Sequence, residues 1–146
     1  MSLQSYLSNS WIRRHQTSGK EIADLLAIAD RDIQQSQVAG LSAEWRFDIA
    51  YNAALQCAVA ALAASGYRAE RQNKHVRTIE CLKFTLGLDD KSVAFLDRCR
   101  RKRHTAVYEQ VGAVSDREAE ELIEVAKKLR RDLESWLRRN HPNLAH

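Results

Sequence analysis

Apolar residues recur every three or four positions along most of the chain, which is the spacing that places them on one face of an α-helix. Five segments follow this pattern. The first begins after Thr17 or Ser18, either of which can cap it, with Glu21 in the capping-box position relative to Ser18, and it ends at Gly40. The second runs from Ser42 to about Gly66 and presents an Ala-rich apolar face. Small side chains let neighbouring helices approach closely, so we expect this second helix to be the central one.

The remaining three predicted helices cover about residues 76–86, 90–111 and 116–140. Ser115 with Glu118 forms a clear capping box for the last of them. No strand pattern, internal repeat or linker is visible. The chain is therefore predicted to be one all-α domain over residues 1–146, an up-and-down bundle of about five helices. Its weakly patterned beginning, residues 1–16, is a candidate N-terminal arm.

Composition fits a globular domain of ordinary size. The chain has 146 residues, 45% apolar and 29% charged content, and a net charge of +4. Three widely spaced cysteines without a Cys-x-x-Cys pair favour a reducing cytoplasm over a disulfide framework or a zinc site. No signal-peptide pattern and no uninterrupted apolar run of about 18 residues occurs, so we expect no membrane association. No phosphate-binding Gly-rich loop or metal-ligand cluster is visible, and neither a metal nor a cofactor is expected.

The main chemical signal is the basic stretch, residues 98–103, which holds five Lys and Arg residues in six positions. At about 100° per residue, Arg100, Arg103 and the adjacent His104 fall within roughly 60° of the apolar side of the fourth helix. Charges on that side are costly unless they are paired or used. Three other basic residues, Arg98, Arg101 and Lys102, point away from it.

Three interpretations of the basic stretch remain open. It is a solvated charged face, a buried ion-pair network with Asp48 or Glu44, or a phosphate or nucleic-acid site in which Arg forks bind phosphate oxygens. In the third case His104 is a candidate acid or base near neutral pH. Tyr108 lies one helical turn later, where a half-buried packing role is the alternative.

Polar residues elsewhere extend these alternatives. Asn52, beside the Ala-rich face, is placed to reach a cationic residue of another helix. A second basic cluster, residues 68–77, includes His75 and either extends a phosphate-binding surface or forms a solvated loop. The aromatic residues of the second helix are expected to pack in the core: Trp45, Phe47 and Tyr51.

Two segments resemble small prokaryotic HEPN-domain proteins, which are all-α bundles of four to five helices. They are WRFDIAYNAAL at residues 45–55, continuing to ASGYR at 64–68, and LDRCRRKRHTAVYE at 96–109. With the helix order, the resemblance covers most of residues 18–140. It implies a family in which active members are metal-independent RNases, with two helices paired across a dimer. Some members are toxins paired with a nucleotidyltransferase antitoxin.

The family motif is an Arg, then a polar residue, then a His four to six positions beyond the Arg. Arg103 followed by His104 matches its first half, but Tyr108 then occupies the His position. Arg98 with His104 satisfies the spacing, although Cys99 is not the usual polar follower. Tyrosine is a poor base at neutral pH because its reference pKa is about 10. The alternative that the protein is a relative that binds RNA or a nucleotide without cleaving it therefore remains open.

The sequence thus predicts a cytoplasmic homodimer that binds RNA or a nucleotide phosphate and that acts as an RNase if it is catalytic. The predicted catalytic residues are Arg103, His104 and Tyr108, and the predicted phosphate- or RNA-binding residues are Arg100, Arg98, Arg101, Lys102 and Asn52. A nucleotidyltransferase-type antitoxin is the partner that the resemblance implies. The alternative is a non-catalytic interaction or dimerisation domain whose basic cluster is neutralised within the bundle.

Overall fold

The computed structural model describes residues 1–108 and 112–145, without the side chains of residues 104–108. Helices dominate this part of the chain: α1 (Leu3–Ser8), α2 (Gly19–Gln35), α3 (Ala43–Ala64), α4 (Lys74–Glu80), α5 (Asp90–Tyr108) and α6 (Asp116–Asn140). Two short strands, β1 (Ile12–Arg14) and β2 (Tyr67–Ala69), and a 3₁₀ turn (Cys81–Lys83) complete it. The predicted all-α class is confirmed, and the five predicted helices correspond to α2 through α6.

Helix ends follow the capping residues of the sequence. The Ser18 hydroxyl accepts a hydrogen bond from the Glu21 amide at 3.1 Å and thereby caps α2. Ser115 and Glu118 exchange hydrogen bonds of 3.1 and 3.0 Å, which is the predicted capping box of α6. Gly66 follows α3 with a φ of +94°, a conformation that residues with a Cβ rarely adopt. These local signals explain why α2, α3 and α6 begin or end where the sequence predicted.

Helix α3 is the centre of the bundle and packs against α2, α4, α5 and α6. Its alanines are almost all buried, so the neighbouring helices lie close to its axis. By its length and mean hydropathy α3 could cross a membrane, although it contains polar residues and is not an uninterrupted apolar run. However, 72% of its most apolar window is buried within the fold, as in the core helix of a globular domain.

Residues 1–16 belong to the fold and do not extend from it as an arm. Tyr6 of α1 and Ile12 of β1 are buried, with 5% and 1% exposure. Strand β1 pairs antiparallel with β2, so that Ile12 lies opposite Ala69. The sequence shows no strand pattern, and the structure adds this two-stranded sheet to an otherwise helical fold. Strands of three residues are too short to show an alternating pattern, and their pairing joins segments more than 50 residues apart.

Candidate functional site

Helix α5 places its basic residues at two different depths. Val93, Leu96 and Cys99 are buried against the core. Beside this stripe, the side chains of Arg100 and Arg103 are 32% and 33% exposed. The helical spacing predicts this position, because both arginines lie one turn from buried residues on the same side. They are therefore partly removed from water yet still reachable from it.

Arg103 forms an ion pair with α3. Its Nε donates a hydrogen bond to Oδ1 of Asp48, whose side chain is only 17% exposed. Its guanidinium carbon also lies 5.4 Å from the centre of the Tyr51 ring, within the range of a cation–π contact. Asp48 and Tyr51 are three positions apart on α3, so one turn of this helix supplies both contacts. Arg103 is thus held against the centre of the bundle.

Arg100 is held by its own helix. Its Nε donates a 2.9 Å hydrogen bond to Oδ1 of Asp97, which lies one turn earlier. The exposed Arg101 shares this carboxylate at 3.7 Å. Each of the two inner arginines therefore binds a carboxylate through Nε, and their terminal nitrogens make no hydrogen bond to the described residues.

The outer basic residues have weaker attachments. Lys102 forms an ion pair with Glu118 of α6. Arg98 is exposed, with its guanidinium carbon 5.9 Å from the centre of the Phe95 ring. Exposed pairs of this kind contribute little to stability, typically about 0–1 kcal/mol. Both residues fit a solvated face that adds positive potential around the inner pair.

The hydroxyl of Tyr51 is buried and has no hydrogen-bond partner among the described residues. The whole residue is 1% exposed. Burial raises the pKa of Tyr51 to about 12, although the charges of Arg100 and Arg103 act in the opposite direction. The phenol is therefore protonated at neutral pH and available as a donor. Buried polar groups are nearly always paired, and among the described residues this hydroxyl shares its unpaired state only with Nε of Arg77 and Nη1 of Arg130.

His75, at the exposed start of α4, lies near enough to the cluster for the charges of its arginines to act on it. Partial burial lowers its pKa, and the positive charges of Arg103, Lys74 and Arg100 lower it further. At neutral pH the imidazole is therefore uncharged, with one nitrogen as donor and the other as acceptor. The sequence assigned His75 only to a separate basic cluster. No spacing signal could join it to Arg100, because the two meet through the packing of α4 against α5.

Two predicted contacts are directed elsewhere. Asn52 donates a 2.7 Å hydrogen bond to Oδ2 of Asp32, a buried carboxylate of α2, and does not contact the basic residues of α5. Glu44 accepts a hydrogen bond from the backbone amide of Gly112. Of the two acidic residues proposed as neutralising partners, only Asp48 therefore pairs with Arg103 in the part of the chain that the structure describes.

Other predicted residues have simpler outcomes. The side chains of His104 and Tyr108 lie outside the described residues, so their roles stay predictions. Phe47 and Tyr51 are buried as expected, but Trp45 is 56% exposed, and the prediction that it packs in the core is wrong. Trp45 occupies the first turn of α3. Within residues 1–108 and 112–145, no three His, Cys, Asp or Glu residues are grouped to hold a metal ion.

No protein-family model matches the sequence, and no curated protein matches it either. The resemblance to HEPN-domain proteins therefore rests on its two segments and on the helix order alone. What the chain does has to be argued from the cluster around Tyr51.

Proposed function

We propose that this chain is a helical protein that binds RNA or a nucleotide through phosphate, at the cluster of Arg100, Arg103, Tyr51 and His75. The observation that carries the proposal is the buried, unpaired Tyr51 hydroxyl beside two partly exposed guanidinium groups. A phosphate oxygen would give this hydroxyl the acceptor that it lacks. Arginine suits the role because its planar fork matches the geometry of phosphate oxygens.

The ion pairs of the cluster prepare it for such a ligand. Asp97 and Asp48 hold the Nε atoms of Arg100 and Arg103, which orients both guanidinium groups before a ligand arrives. The terminal nitrogens stay available for phosphate. With Lys74, the cluster contains three fixed positive charges against two carboxylates, so it retains an excess of positive charge for an anion.

Catalysis, dimerisation and partner binding extend this proposal. Cleavage of RNA would require a base for the 2′-hydroxyl proton and cations to stabilise the phosphorane. His104 is the proposed acid/base residue, Arg103 would bind phosphate, and Tyr108 would orient the substrate. The HEPN resemblance adds a homodimer formed through α5 and a nucleotidyltransferase-type partner. Molar mass in solution tests the dimer.

A second candidate function is a non-catalytic interaction or dimerisation domain. The pairing of Arg103 with Asp48 favours it, because a neutralised arginine in a core needs no ligand. The pairing of Lys102 with Glu118 has the same effect at the outer face. Under this proposal the basic residues of α5 fix the packing of the bundle, and RNA has no dedicated site.

Replacing Asp48 with Asn separates the two functions. Asp48→Asn removes a negative charge beside the proposed phosphate site, so it should strengthen binding of single-stranded RNA, which is measured over a range of salt concentrations. A matched control exists in Asp30, which accepts hydrogen bonds from Arg130 of α6 at 2.8 and 3.2 Å. Asp30→Asn makes the same change in net charge and also breaks an Arg–Asp pair between helices.

The comparison is made by fluorescence anisotropy with a labelled RNA oligonucleotide at several salt concentrations. A stronger affinity for Asp48→Asn than for Asp30→Asn supports the phosphate site. Equal affinities, with a loss of stability alone in Asp48→Asn, support the interaction domain. Catalysis has its own test: incubation of total RNA with the protein and with an Arg103→Ala, His104→Ala double variant. Equal cleavage by both proteins, or cleavage by neither, removes the nuclease proposal.

A further inference from the structure

A cavity of about 290 Å³ lies between α2, α3, α4 and β2. One wall is apolar and is formed by side chains that include Leu25, Leu55 and Val59. The other side carries polar groups from His15, which follows β1, and from α2, β2 and α4. This division is typical of small-molecule sites, in which an apolar body is bound by packing and a few polar groups set its orientation.

Three residues at one end of the cavity form a fixed hydrogen-bond network. Nε2 of His15 lies 2.7 Å from Oε1 of Glu21, and the Thr17 hydroxyl donates to the same oxygen at 2.6 Å. The bond from Thr17 lowers the pKa of Glu21, with a further contribution from His15. Since the carboxylate of Glu21 accepts both hydrogen bonds, Nε2 of His15 carries the proton that it donates. This part of the cavity thus holds a carboxylate that is fixed by two donors.

At His75 the cavity wall comes near the cluster around Tyr51. His75 lines the cavity and is also close enough to Arg100 and Arg103 for their charges to act on it. Lys74 and Arg68, both exposed, stand at the rim. A ligand in the cavity therefore meets positive charge from Lys74 and from Arg68, which also acts on Glu21, and beside His75 it lies near the arginines of the proposed phosphate site.

Tyr67 gives the cavity an aromatic side chain. It belongs to β2 and is partly buried, and the Arg14 guanidinium lies 6.0 Å from the centre of its ring. Proteins that recognise single-stranded RNA stack splayed bases on such side chains and bind the base edges by hydrogen bonds. Gln56 and Thr78 also line the cavity. The Thr78 hydroxyl donates to the Lys74 carbonyl at 2.7 Å and the Gln56 amide donates to Asn52 at 3.2 Å, so both side chains retain acceptor capacity for a ligand.

We propose that this cavity binds the base of a nucleotide, with its phosphate at the rim toward Lys74, His75 and Arg103. This inference rests on the proposed function, because it places the base next to the proposed phosphate site. The same chemistry is offered by a free mononucleotide and by an unpaired base of RNA. The base stacks against Tyr67 and the apolar wall, and the polar groups that line the cavity bind its edge.

The test compares ligands that share a phosphate but differ in the base. Binding of adenosine and cytidine 5′-monophosphate, ribose 5-phosphate and a single-stranded RNA is measured by calorimetry. A mononucleotide should bind at least about tenfold more tightly than ribose 5-phosphate, because stacking of a base on an aromatic side chain contributes that much or more. Equal affinities for the mononucleotides and ribose 5-phosphate would overturn the base site. Binding of RNA alone would show that the base must come from a polymer.

Val59→Phe fills the cavity without a change in charge. It should abolish the difference between mononucleotide and ribose 5-phosphate. Val125→Phe, in a groove between α5 and α6, is the matched control and should leave the difference intact. Because a filled cavity also threatens folding, a second readout uses the unmodified protein. Nucleotide, but not ribose 5-phosphate, should shift the imidazole NMR signals of His15; no shift of these signals by nucleotide would overturn the proposal.

Arg103→Gln distinguishes the failure of this inference from the failure of the proposed function. If RNA binding depends on Arg103 but is insensitive to Val59→Phe, the phosphate site stands and the base site is refuted. If mononucleotide binding is lost in Val59→Phe but unchanged in Arg103→Gln, the cavity binds the base and the proposed phosphate site is refuted. If neither variant changes the binding of any ligand, both proposals are wrong.

Discussion

Two buried tyrosines offer a direct test of the unpaired hydroxyl. Tyr51 is 1% exposed and its hydroxyl has no partner among the described residues. Tyr6 is 5% exposed, and its hydroxyl donates a 3.0 Å hydrogen bond to Oε1 of Glu80. Replacing each by Phe removes one oxygen and leaves the ring in place. The two variants are matched in chemistry and burial, and they differ in whether a hydrogen bond is lost.

The two substitutions should change the free energy of unfolding in opposite directions. An unpaired buried polar group costs about 1–3 kcal/mol, so Tyr51→Phe should leave stability unchanged or raise it by up to about 1 kcal/mol. A hydrogen bond to a charged group contributes about 1.5–3 kcal/mol. Glu80 keeps a second donor, Nη1 of Arg77 at 3.1 Å, so Tyr6→Phe should cost an amount near the lower end of that range. In a domain of this size each kcal/mol shifts Tm by about 2–4 °C.

Urea unfolding followed by circular dichroism measures both variants, and RNA binding is measured on the same samples. The proposed phosphate site adds a second expectation for Tyr51→Phe: weaker RNA affinity at unchanged or greater stability. Tyr6→Phe should show the reverse, with lower stability and unchanged affinity. If Tyr51→Phe loses as much stability as Tyr6→Phe, its hydroxyl is hydrogen-bonded and the argument from an orphaned donor fails. If Tyr51→Phe keeps full RNA affinity, the hydroxyl is not part of the site.

Two further expectations follow from the titratable groups. Burial raises the pKa values of three cysteine thiols to about 12: Cys57, Cys81 and Cys99. None of them should therefore react with iodoacetamide at neutral pH in the folded protein, and mass spectrometry should find three adducts only after unfolding. Alkylation of the native protein would contradict their burial. Folding lowers the pKa of His75 below its ordinary value of 6.5. At pH values below about 6.5 the unfolded chain therefore binds more protons at this residue than the folded protein does, so the free energy of unfolding should fall as the pH drops. His75→Asn should flatten this dependence in urea unfolding at a series of pH values, whereas an unchanged slope would assign it to other groups.

Local signals in the sequence were sufficient to predict most of the fold. The periodic apolar stripes and the caps at Ser18, Ser42 and Ser115 act within a few residues, so they are visible without knowledge of the tertiary structure. The strands at residues 12–14 and 67–69 have no such signal. They form because the end of α3 brings the second strand beside the first. There the backbone amide of His15 donates a 2.8 Å hydrogen bond to the Gly66 carbonyl.

The candidate site was only partly predictable for the same reason. The positions of Arg100 and Arg103 beside the core follow from helix geometry alone. The pairing of Arg103 with Asp48 was one of several alternatives, because helical spacing shows which face a residue occupies but not which residue it meets. The entry of His75 into the cluster depends on how the short helix α4 packs against α5, which no local pattern encodes.

The ion pair between Arg103 and Asp48 is compatible with a phosphate site because it is only partly buried. A fully buried pair would cost several kcal/mol to break, and a ligand would have to repay that cost. Here the Arg103 side chain remains 33% exposed, and it uses Nε for the carboxylate. A phosphate group can bind the terminal nitrogens while Asp48 stays in place, so the carboxylate orients the guanidinium and does not compete for it. Asp48 thereby lowers the affinity for an anion moderately while it fixes the geometry, which is why its removal should strengthen RNA binding and lower the stability of the fold.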